Sequence, residues 1–305
     1  MTSVRVFVPG SIGNVGPGFD VLGLAVDGIG DRFTIELTTA PSSIAAVTGR
    51  DHTLVPTDPA NNCTSVAALA LLRSQGDSRQ VRVTIDRSLP LAGGLGASAA
   101  ASVGGAFGAA MALGRPVSQA AILAAALVGE SSVSSPHLDN IAPSLLGGVT
   151  VARSITPPDA VRVPVLGTWW VAVVSPAQRL TTKKARSVLP QLISQADFVH
   201  QIAHTAALIT AFASGDHELA HRALVDIYAE PHRAGLIEAF FAVKSAAASA
   251  GALGCSISGA GPSVFALCAS ESIASACAAA MGAAFLPTAA QTHIGRIATE
   301  GARIL

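Results

Sequence analysis

Hydrophobic and polar positions alternate over several short segments of this chain, and such alternation predicts β-strands with one buried face. Residues 4–8 (VRVFV) and 81–87 (VRVTIDR) show the pattern most clearly. Residues 9–18 (PGSIGNVGPG) are rich in glycine and proline and predict a loop after the first strand. The other predicted strands lie at residues 19–27, 31–38, 148–153, 168–174, 254–258 and 262–268, with a last one near the C-terminus.

Elsewhere apolar residues recur three and four positions apart, which predicts helices with one buried side. One helix is expected to begin after Asn61 and Asn62, because asparagine is a favoured cap and Val66, Leu69 and Leu72 follow at helical spacing. Further helices are predicted at residues 97–113, 118–130, 181–213, 217–228 and 234–250, with Pro190 and Pro231 as breaks and a last helix near the C-terminus. The irregular alternation of strands and helices predicts an α+β fold rather than a doubly wound parallel sheet.

The chain length allows one large domain or two smaller ones, since 305 residues with 50% hydrophobic composition can bury a sizeable core. The pair Pro157–Pro158 falls between two predicted strands and is interpreted as a linker. We therefore expect an N-terminal domain at residues 1–160 and a C-terminal domain at residues 161–305.

The charge balance narrows the choice of partners. Only 12% of the residues are charged, and 19 Lys and Arg balance 19 Asp and Glu, so no nucleic acid and no membrane surface is predicted as a partner. The start, MTSVRVFVPG, lacks the pattern of a secretory signal, and none of the four cysteines forms a CxxC pair. We expect a cytoplasmic protein that binds small molecules or a second copy of itself.

The segment PLAGGLGASAA at residues 90–100 follows a predicted strand and precedes a predicted helix. Glycines allow close approach of the backbone to a ligand, and a helix start offers free N–H groups to an anion. The segment matches neither the lysine-containing P-loop nor the dinucleotide fingerprint, so from the residues alone a plain glycine turn is equally open. Two more glycine segments, PGSIGNVGPGFD at 9–20 and SISGAGPSVFAL at 256–267, flank it along the chain.

These three segments, in this order, resemble those of the GHMP kinases. Five stretches, VGPGFDVLGLAVD, HLDNIAPSLLGG, TTKKARSVLP, DIYAEPHR and GALGCSISGAGPS, most resemble the branch of that family that phosphorylates the side-chain hydroxyl of homoserine. The resemblance runs from about residue 4 to beyond residue 270. It implies a two-domain GHMP kinase fold, with a ribosomal protein S5 domain 2-like N-terminal domain and a ferredoxin-like C-terminal domain. It also implies a homodimer, with homoserine and ATP as substrates.

The resemblance further implies that phosphates are bound by loop amides, a helix dipole and Mg²⁺, without a P-loop lysine. It assigns Mg²⁺ to Ser98 and Glu130, although a helix-capping serine and a solvated helix-end acid are the plain alternatives. Asn62 resembles the asparagine beside the nucleotide base, and helix capping alone is its alternative. The residues implied to bind ATP are Asn62, Pro90, Leu91, Ala92, Gly93, Gly94, Leu95, Gly96, Ala97, Ser98, Gly259 and Gly261.

An amino-acid acceptor requires a cationic site for its carboxylate and acidic or polar groups for its ammonium and hydroxyl. Arg186 and Arg233 match the family positions for the carboxylate, and a planar guanidinium can bind it with two hydrogen bonds. By the same resemblance, Asp20 is the residue nearest to a general base, and Asn14 and Arg186 are grouped with it as catalytic. The resemblance also implies that the first role of Asp20 is to hold the substrate. The residues implied to contact the acceptor are Asn14, Asp20, His137, Asp139, Asn140, Thr182, Arg186 and Arg233.

A competing motif lies at residues 217–221, where HELAH fits the HExxH pattern of zinc metalloproteases. Leu224 stands where the metzincin extension has glycine, and the motif opens a helix directly after SGD. Zinc binding is therefore the lesser hypothesis. His200 and His204 form a similar pair without a glutamate, for which packing is expected.

Two further alternatives remain. The acceptor could be another small alcohol, such as threonine or mevalonate. The chain could also be a binding protein without activity, because Ala97 replaces a usual serine, Ile12–Gly13 a frequent Ser–Ala, and Glu238 lies near a usual proline. None of these changes removes a candidate ligand, so an active enzyme is expected.

Overall fold

The computed structural model describes residues 3–305 and contains two β-sheets, one of seven strands and one of four. The strands of the first sheet pair in the order β11-β1-β2-β4-β3, with β5 on β2 and β6 on β5. Their bounds are β1 Ser3–Gly13, β2 Leu22–Thr38, β3 Ser43–Gly49, β4 Gln80–Arg87, β5 Val149–Ile155, β6 Pro158–Val163 and β11 Arg303–Ile304.

The first two strands are longer than predicted. The predicted loop at residues 9–18 is wrong in its first half, because β1 continues through Pro9 to Gly13. Pro9 pairs with Gly30 and Ser11 with Ala25, so β1 advances by two residues where β2 advances by five, and the irregularity of the ladder lies mainly in β2. The strands predicted at 19–27 and 31–38 are one continuous strand. β3 was missed, since most of its side chains are exposed and give little hydrophobic pattern.

Helices cover the first sheet, and three of them, α1, α2 and α3, begin close to the predicted positions. Their bounds are α1 Cys63–Ser74, α2 Ala97–Ala112, α3 Gln119–Ser131 and α4 Ile141–Leu146. α2 is buried along almost its whole length and packs between α1, α3 and the sheet. Its glycines make this possible, because a Cβ on Gly105 would lie 2.0 Å from the carbonyl oxygen of Thr64 in α1.

The interpretation of Pro157–Pro158 as a linker is wrong, because this pair lies at the turn between the antiparallel strands β5 and β6. β6 belongs to the first sheet and crosses the boundary expected between residues 160 and 161. The C-terminal strand β11 also returns to this sheet and pairs with β1. We propose that the N-terminal unit runs to Val163 and includes the last residues of the chain.

The second sheet has the order β10-β7-β9-β8, with every neighbouring pair antiparallel. Along the chain its strands and helices follow the sequence strand, helices, strand, strand, helix, strand, which confirms the ferredoxin-like expectation. The strands are β7 Trp170–Pro176, β8 Gly254–Ile257, β9 Val264–Cys268 and β10 Ala290–Arg296. The helices are α5 Thr182–Ser187, α6 Gln195–Ser214, α7 His217–Ala223, α8 Glu230–Arg233, α9 Phe240–Ser249 and α10 Glu271–Ala284.

The long helices predicted at 181–213, 217–228 and 234–250 are interrupted or shortened. Pro190 separates α5 from α6, and α7 ends at Ala223, well before the predicted residue 228. Within residues 3–305, no helix combines the length and apolar character needed to cross a membrane. The four cysteines are free thiols, and Cys255, Cys268 and Cys277 are buried.

Candidate active site

A cleft collects residues from both units of the chain, and almost every residue predicted for the site lines it. The role of each residue stays a prediction, but the structure shows which of these residues line the cleft. Two predicted residues, Asn62 and Leu95, do not line the cleft, whereas Leu180 and Ala260 line it without having been predicted. The predicted residues that line it are Asn14, Asp20, Pro90, Leu91, Ala92, Gly93, Gly94, Gly96, Ala97, Ser98, Glu130, His137, Asp139, Asn140, Thr182, Arg186, Arg233, Gly259 and Gly261.

The start of α2 opens directly into this cleft. Its N-cap is Gly96, which has a φ of 64° and provides no side-chain cap. A Cβ there would lie 2.1 Å from the Ser11 hydroxyl, so glycine meets both a conformational and a steric need. The uncapped first turn leaves backbone N–H groups at the positive end of a sixteen-residue helix. This is an arrangement that binds anions.

The two later glycine segments hold each other in place. The Ser258 hydroxyl donates to the Gly94 carbonyl at 2.5 Å, and the Ser263 backbone N–H donates to the Gly93 carbonyl at 3.2 Å. These carbonyls, which would repel a bound anion, are therefore already paired with donors. Sequence analysis placed the two segments in one site and missed the serines that join them.

A buried acid holds the base of the central glycine segment. Asp31 on β2 accepts hydrogen bonds from the backbone N–H groups of Ser88 and Leu89, at 2.7 and 2.9 Å. Arg87 lies 3.8 Å away, and both side chains are almost fully buried. Burial raises the pKa of Asp31 above its ordinary value, while Arg87 and the two N–H groups oppose this. No local motif marks this pair, so sequence analysis did not find it.

Ser98 and Glu130 meet across α2 and α3, as the resemblance implied. The Ser98 hydroxyl donates to Glu130 Oε1 at 2.9 Å, and Glu130 is only 4% exposed. Its other oxygen, Oε2, is buried without a hydrogen-bond partner within residues 3–305. Burial raises the pKa of Glu130, and nearby His137 and the Ser98 hydroxyl lower it in part. The plain alternatives are both wrong, since Gly96 is the cap and the acid is not solvated.

Asp20 and Arg186 form an ion pair within the same cleft. Nη1 and Nη2 of Arg186 both donate to Asp20 Oδ2, at 3.0 and 2.5 Å. The Asn14 amide fixes this loop, because its Oδ1 accepts from the Asp20 N–H at 3.0 Å and its Nδ2 donates to the Gly259 carbonyl at 2.8 Å. Asn14 and Asp20 both adopt positive φ angles, of 66° and 57°, which these bonds hold in place.

Asp139 provides a buried acid beside this pair. Its Oδ2 accepts from the Asn14 N–H at 3.2 Å, while Oδ1 is buried without a partner in the described part of the chain. Burial raises the pKa of Asp139, with His137 lowering it and the charge of Asp20 raising it further. Next to it, Asn140 Oδ1 accepts from the Ser11 hydroxyl at 3.1 Å.

Arg233 is the most deeply buried cation of the cleft, at 3% exposure. Its Nε donates to the Ala185 carbonyl at 3.0 Å and its Nη1 donates to the Gly259 carbonyl at 3.1 Å. No carboxylate in residues 3–305 forms an ion pair with it. Burial lowers the pKa of Arg233, and the positive charge of Arg186 lowers it further. The side chain is thus a positive charge held by backbone carbonyls.

Asn62 lies outside the cleft and acts as a helix cap. Its Oδ1 accepts from the N–H groups of Thr64 and Ser65, at 3.0 and 3.4 Å, and its Nδ2 donates to the Pro56 carbonyl at 2.8 Å. Because its amide oxygen accepts from two backbone N–H groups at the start of α1, the contacts favour the capping interpretation. A part in binding the nucleotide base stays a prediction.

The two histidines of the HELAH motif make separate contacts, one with an aromatic ring and one with a backbone carbonyl. The His217 ring packs edge-on against Trp169, with ring centroids 4.3 Å apart, and His221 Nδ1 contacts the Leu253 carbonyl at 2.8 Å. Glu218 is exposed and lies 3.9 Å from Arg222. No group of three or more His, Cys, Asp or Glu side chains suited to a metal ion occurs within residues 3–305. His200 and His204 stack at 4.0 Å, as expected for packing.

Comparison with known proteins places these features in a family. Two family models match, GHMP kinases N terminal domain over residues 62–148 and GHMP kinases C terminal over residues 208–287. A curated homoserine kinase of Chlorobium phaeovibrioides is 38% identical over the full length of both chains. The homoserine kinase of Arabidopsis thaliana is 39% identical over 88% of this chain and 75% of its own.

A solved structure agrees with this. The crystal structure of homoserine kinase from Cytophaga hutchinsonii is 35% identical, with a TM-score of 0.95 over 100% of this chain and 98% of its own. The two family models, the full-length relatives and the solved structure therefore all indicate the same family. The chain belongs to the GHMP kinase family, and within it to the group of the homoserine kinases.

Proposed function

We propose that this chain transfers the γ-phosphoryl group of ATP to the side-chain hydroxyl of L-homoserine and releases O-phospho-L-homoserine and ADP. One observation carries the proposal. The same cleft joins an uncapped helix start, suited to phosphates, to a set of opposite charges suited to an amino acid. The placement of both ends in one cleft brings a phosphate donor and an alcohol acceptor together, which is the main requirement of phosphoryl transfer.

The helix start and the central glycine segment form the phosphate side. Backbone N–H groups of the first turn of α2 are free to donate, and the dipole of the helix favours negative charge there. The Ser258 hydroxyl donates to the Gly94 carbonyl and the Ser263 N–H donates to the Gly93 carbonyl. These two carbonyls are therefore paired with donors and repel a phosphate less. This accounts for a nucleotide site without a P-loop lysine.

The residues present fit a Mg²⁺ ion at Ser98 and Glu130. Glu130 Oε2 is a buried carboxylate oxygen without a partner in the described residues, and the Ser98 hydroxyl lies beside the other oxygen. Mg²⁺ prefers such oxygen ligands and, when bound, neutralises charge on the phosphates. Two residues supply only part of an octahedral shell, which is usual for Mg²⁺ bound together with phosphates and water.

The other side of the cleft matches the groups of an amino-acid acceptor. Arg233 has no acidic partner in the described residues. The Nε of Arg186 is buried and has no hydrogen-bond partner there, so both arginines can donate to a carboxylate. The buried Oδ1 of Asp139 can accept from an ammonium group. His137 and Thr182 line the same cleft. Mevalonate has no ammonium group and would leave Asp139 unpaired. Galactose has neither an ammonium nor a carboxylate group and would leave Asp139 and both arginines unpaired.

Asp20 is better placed to hold the acceptor than to remove its proton. Two hydrogen bonds from Arg186 already occupy Asp20 Oδ2, so this oxygen is engaged in holding the guanidinium. A share in catalysis by Asp20, Asn14 or Arg186 is part of the proposal, with positioning as the main contribution.

A coupled assay of ADP release with homoserine, threonine, mevalonate and galactose as acceptors tests this function. We expect homoserine to give the highest kcat/KM, because it offers both charges and a primary hydroxyl. Absence of homoserine-dependent ADP release would refute the proposal, and a higher kcat/KM for threonine would reassign the acceptor.

A further inference from the structure

The aromatic ring of Phe19 contacts both arginines of the cleft. The Cζ atom of Arg186 lies 5.4 Å from the ring centroid, and the Cζ atom of Arg233 lies 5.3 Å from it. Both distances fall within the range of about 6 Å in which a cation is attracted to the face of an aromatic ring. Phe19 directly precedes Asp20, yet it was not among the residues predicted for the site.

The two arginines present an electrostatic problem that the ring can relieve. Arg186 pairs with Asp20, whereas Arg233 is held only by backbone carbonyls. The two positive charges are close enough that Arg186 lowers the pKa of Arg233. Before any acceptor binds, the cleft must therefore hold two neighbouring positive charges, those of Arg186 and Arg233, in fixed places.

An aromatic ring solves this problem in a way that an acid could not. The negative face of the ring attracts a guanidinium without accepting its N–H groups in strong hydrogen bonds. A carboxylate at the same place would neutralise the charge and occupy the donors that a ligand needs. A ring therefore orients both cations and leaves their charge available to an incoming carboxylate.

The surroundings of Phe19 fix the position of the ring. Tyr228 packs edge-on against it, with centroids 5.0 Å apart and planes at 77°. The Tyr228 hydroxyl donates to the Pro190 carbonyl at 3.2 Å, and its backbone N–H donates to Asp226 Oδ1 at 2.9 Å. The neighbouring Asp20 is locked through its contact with Asn14. The ring is thus held from both sides by the fold rather than by a ligand.

The geometry points to Phe19 as a positioning residue, whose ring holds Arg186 and Arg233 together and so selects an acceptor that carries a carboxylate. This inference rests on the proposed function, in which that carboxylate belongs to homoserine. Phe19 acts through the two arginines and contacts no reacting atom.

Stepwise fluorination of the ring tests this role with little change in size. Phe19 is replaced in the full chain by 4-fluoro-, 3,5-difluoro- and 3,4,5-trifluorophenylalanine, which weaken the negative face of the ring progressively. We expect the KM for homoserine to rise with each fluorine, reaching about 5-fold for the trifluoro ring. The kcat and the KM for ATP should stay constant, because the helix start and the glycine segment do not contact this ring.

The chain offers a matched control in Phe7, whose ring also lies near two arginines, Arg32 at 5.8 Å and Arg303 at 4.4 Å. Phe7 lies on β1, and neither Arg32 nor Arg303 lines the cleft, whereas both arginines near Phe19 do. The same fluorinated residues at position 7 should leave the KM for homoserine unchanged. Phe19→Leu, which removes the ring, should raise this KM at least as far as trifluorination does.

The outcomes separate this inference from the proposed function. The unmodified chain is assayed first, and a lack of homoserine-dependent ADP release overturns the proposed function together with the acceptor named here. With an active chain, a KM that rises in Phe19→Leu but not in the fluorinated series shows that the ring acts by packing alone. That result overturns the role of Phe19 and leaves the proposed function intact.

Discussion

At the scale of single residues, the acceptor side of the cleft depends on one ion pair. Arg186 donates twice to Asp20 Oδ2, and Asn14 fixes the Asp20 backbone from the other side. The carboxylate that the family resemblance offered as nearest to a base is therefore occupied by a guanidinium. We therefore propose that its contribution belongs to binding, with the carboxylate holding Arg186 in place.

Replacing Asp20 by asparagine tests this assignment. Asp20→Asn keeps the shape of the side chain and removes the charge, so Arg186 loses its ionic partner and its fixed position. We expect the KM for homoserine to rise about 10-fold, the equivalent of one charged hydrogen bond, with a smaller change in kcat. Steady-state kinetics measure both constants. Asp27→Asn, an exposed site on β2, is the matched control, and a fall in kcat at unchanged KM would instead assign Asp20 as the base.

Two thiols, the half-buried Cys63 and the buried Cys255, give a second prediction at this scale. Burial raises the pKa of Cys63 to about 11 and that of Cys255 to about 12. Since only the thiolate reacts, a rise of two units lowers reactivity about 100-fold at pH 8. Mass spectrometry after iodoacetamide treatment should find both thiols almost unlabelled in the native chain and fully labelled in guanidinium. Rapid labelling of native Cys63 would contradict the assigned pKa.

At the scale of the elements, α2 has two functions at once. Its N-terminus faces the cleft, and its glycines allow close contact with α1 and the sheet. A Cβ on Gly104 would lie 2.3 Å from the Phe33 ring, and one on Gly108 would lie 2.4 Å from Ile35. Because β2 packs so closely on this helix, the helix start is fixed relative to the rest of the cleft.

Gly105→Ala tests this close packing. Alanine favours a helix over glycine by about 1 kcal/mol, so a purely local effect would be stabilising. We expect the opposite, a loss of about 1–3 kcal/mol in the free energy of unfolding, because the new Cβ would meet the backbone of α1. Urea denaturation measures this free energy. Gly235→Ala, where nothing lies within 4 Å of the new Cβ, should change it little, and equal behaviour of the two variants would argue against the packing account.

At the scale of the whole molecule, the cleft exists only when both units are in place. The Asn14 amide of the first unit bonds to Gly259 of the second, and Ser263 of the second bonds to Gly93 of the first. The C-terminal strand β11 adds a further tie, since it leaves the second unit and pairs with β1. The homodimer implied by the family resemblance stays a prediction that light scattering can test.

Deletion of residues 302–305 tests the contribution of β11. The deletion removes the pairing with Val6 and Phe7, the bond from the Leu305 N–H to the Arg5 carbonyl at 2.9 Å, and the contact of Arg303 with Phe7. We expect the melting temperature to fall by about 2–4 °C, as a loss of about 1 kcal/mol implies. Calorimetry measures this shift. The KM for homoserine should not change, and an unaltered melting temperature would show that β11 adds no stability.

Several features of the fold could be predicted from local pattern alone. Alternation predicted β4, and the asparagine cap predicted the start of α1. The pattern failed in β1, where residues 9–13 belong to the strand although their glycine and proline content predicted a loop. It also failed for β3, whose exposed side chains carry no alternation of burial. Local sequence encodes which face of an element is buried, and both failures occur where that code is weak.

The candidate site likewise contains residues that the sequence identified and residues that it did not. The glycine segments, Ser98, Glu130 and the two arginines were identified from sequence because they resemble a family's motifs. Phe19 and the Asp31–Arg87 pair were not, because a phenylalanine, an aspartate and an arginine in strands or loops are unremarkable residues whose role depends on what they contact. A pattern along the chain contains no information about such contacts.

By itself, the sequence determined the elements and the chemistry available to them: the α+β class, the glycine-rich segment before α2, and the motifs of a GHMP kinase. Only the tertiary structure decided the partners. Ser258 reaches Gly94 across 164 positions of the chain, and Arg186 reaches Asp20 across 166. The physical reason is that the hydrophobic pattern reports only on residues a few positions apart in one helix or strand. Charged groups and hydroxyls form hydrogen bonds with residues that are distant in the sequence and become neighbours only in the folded chain.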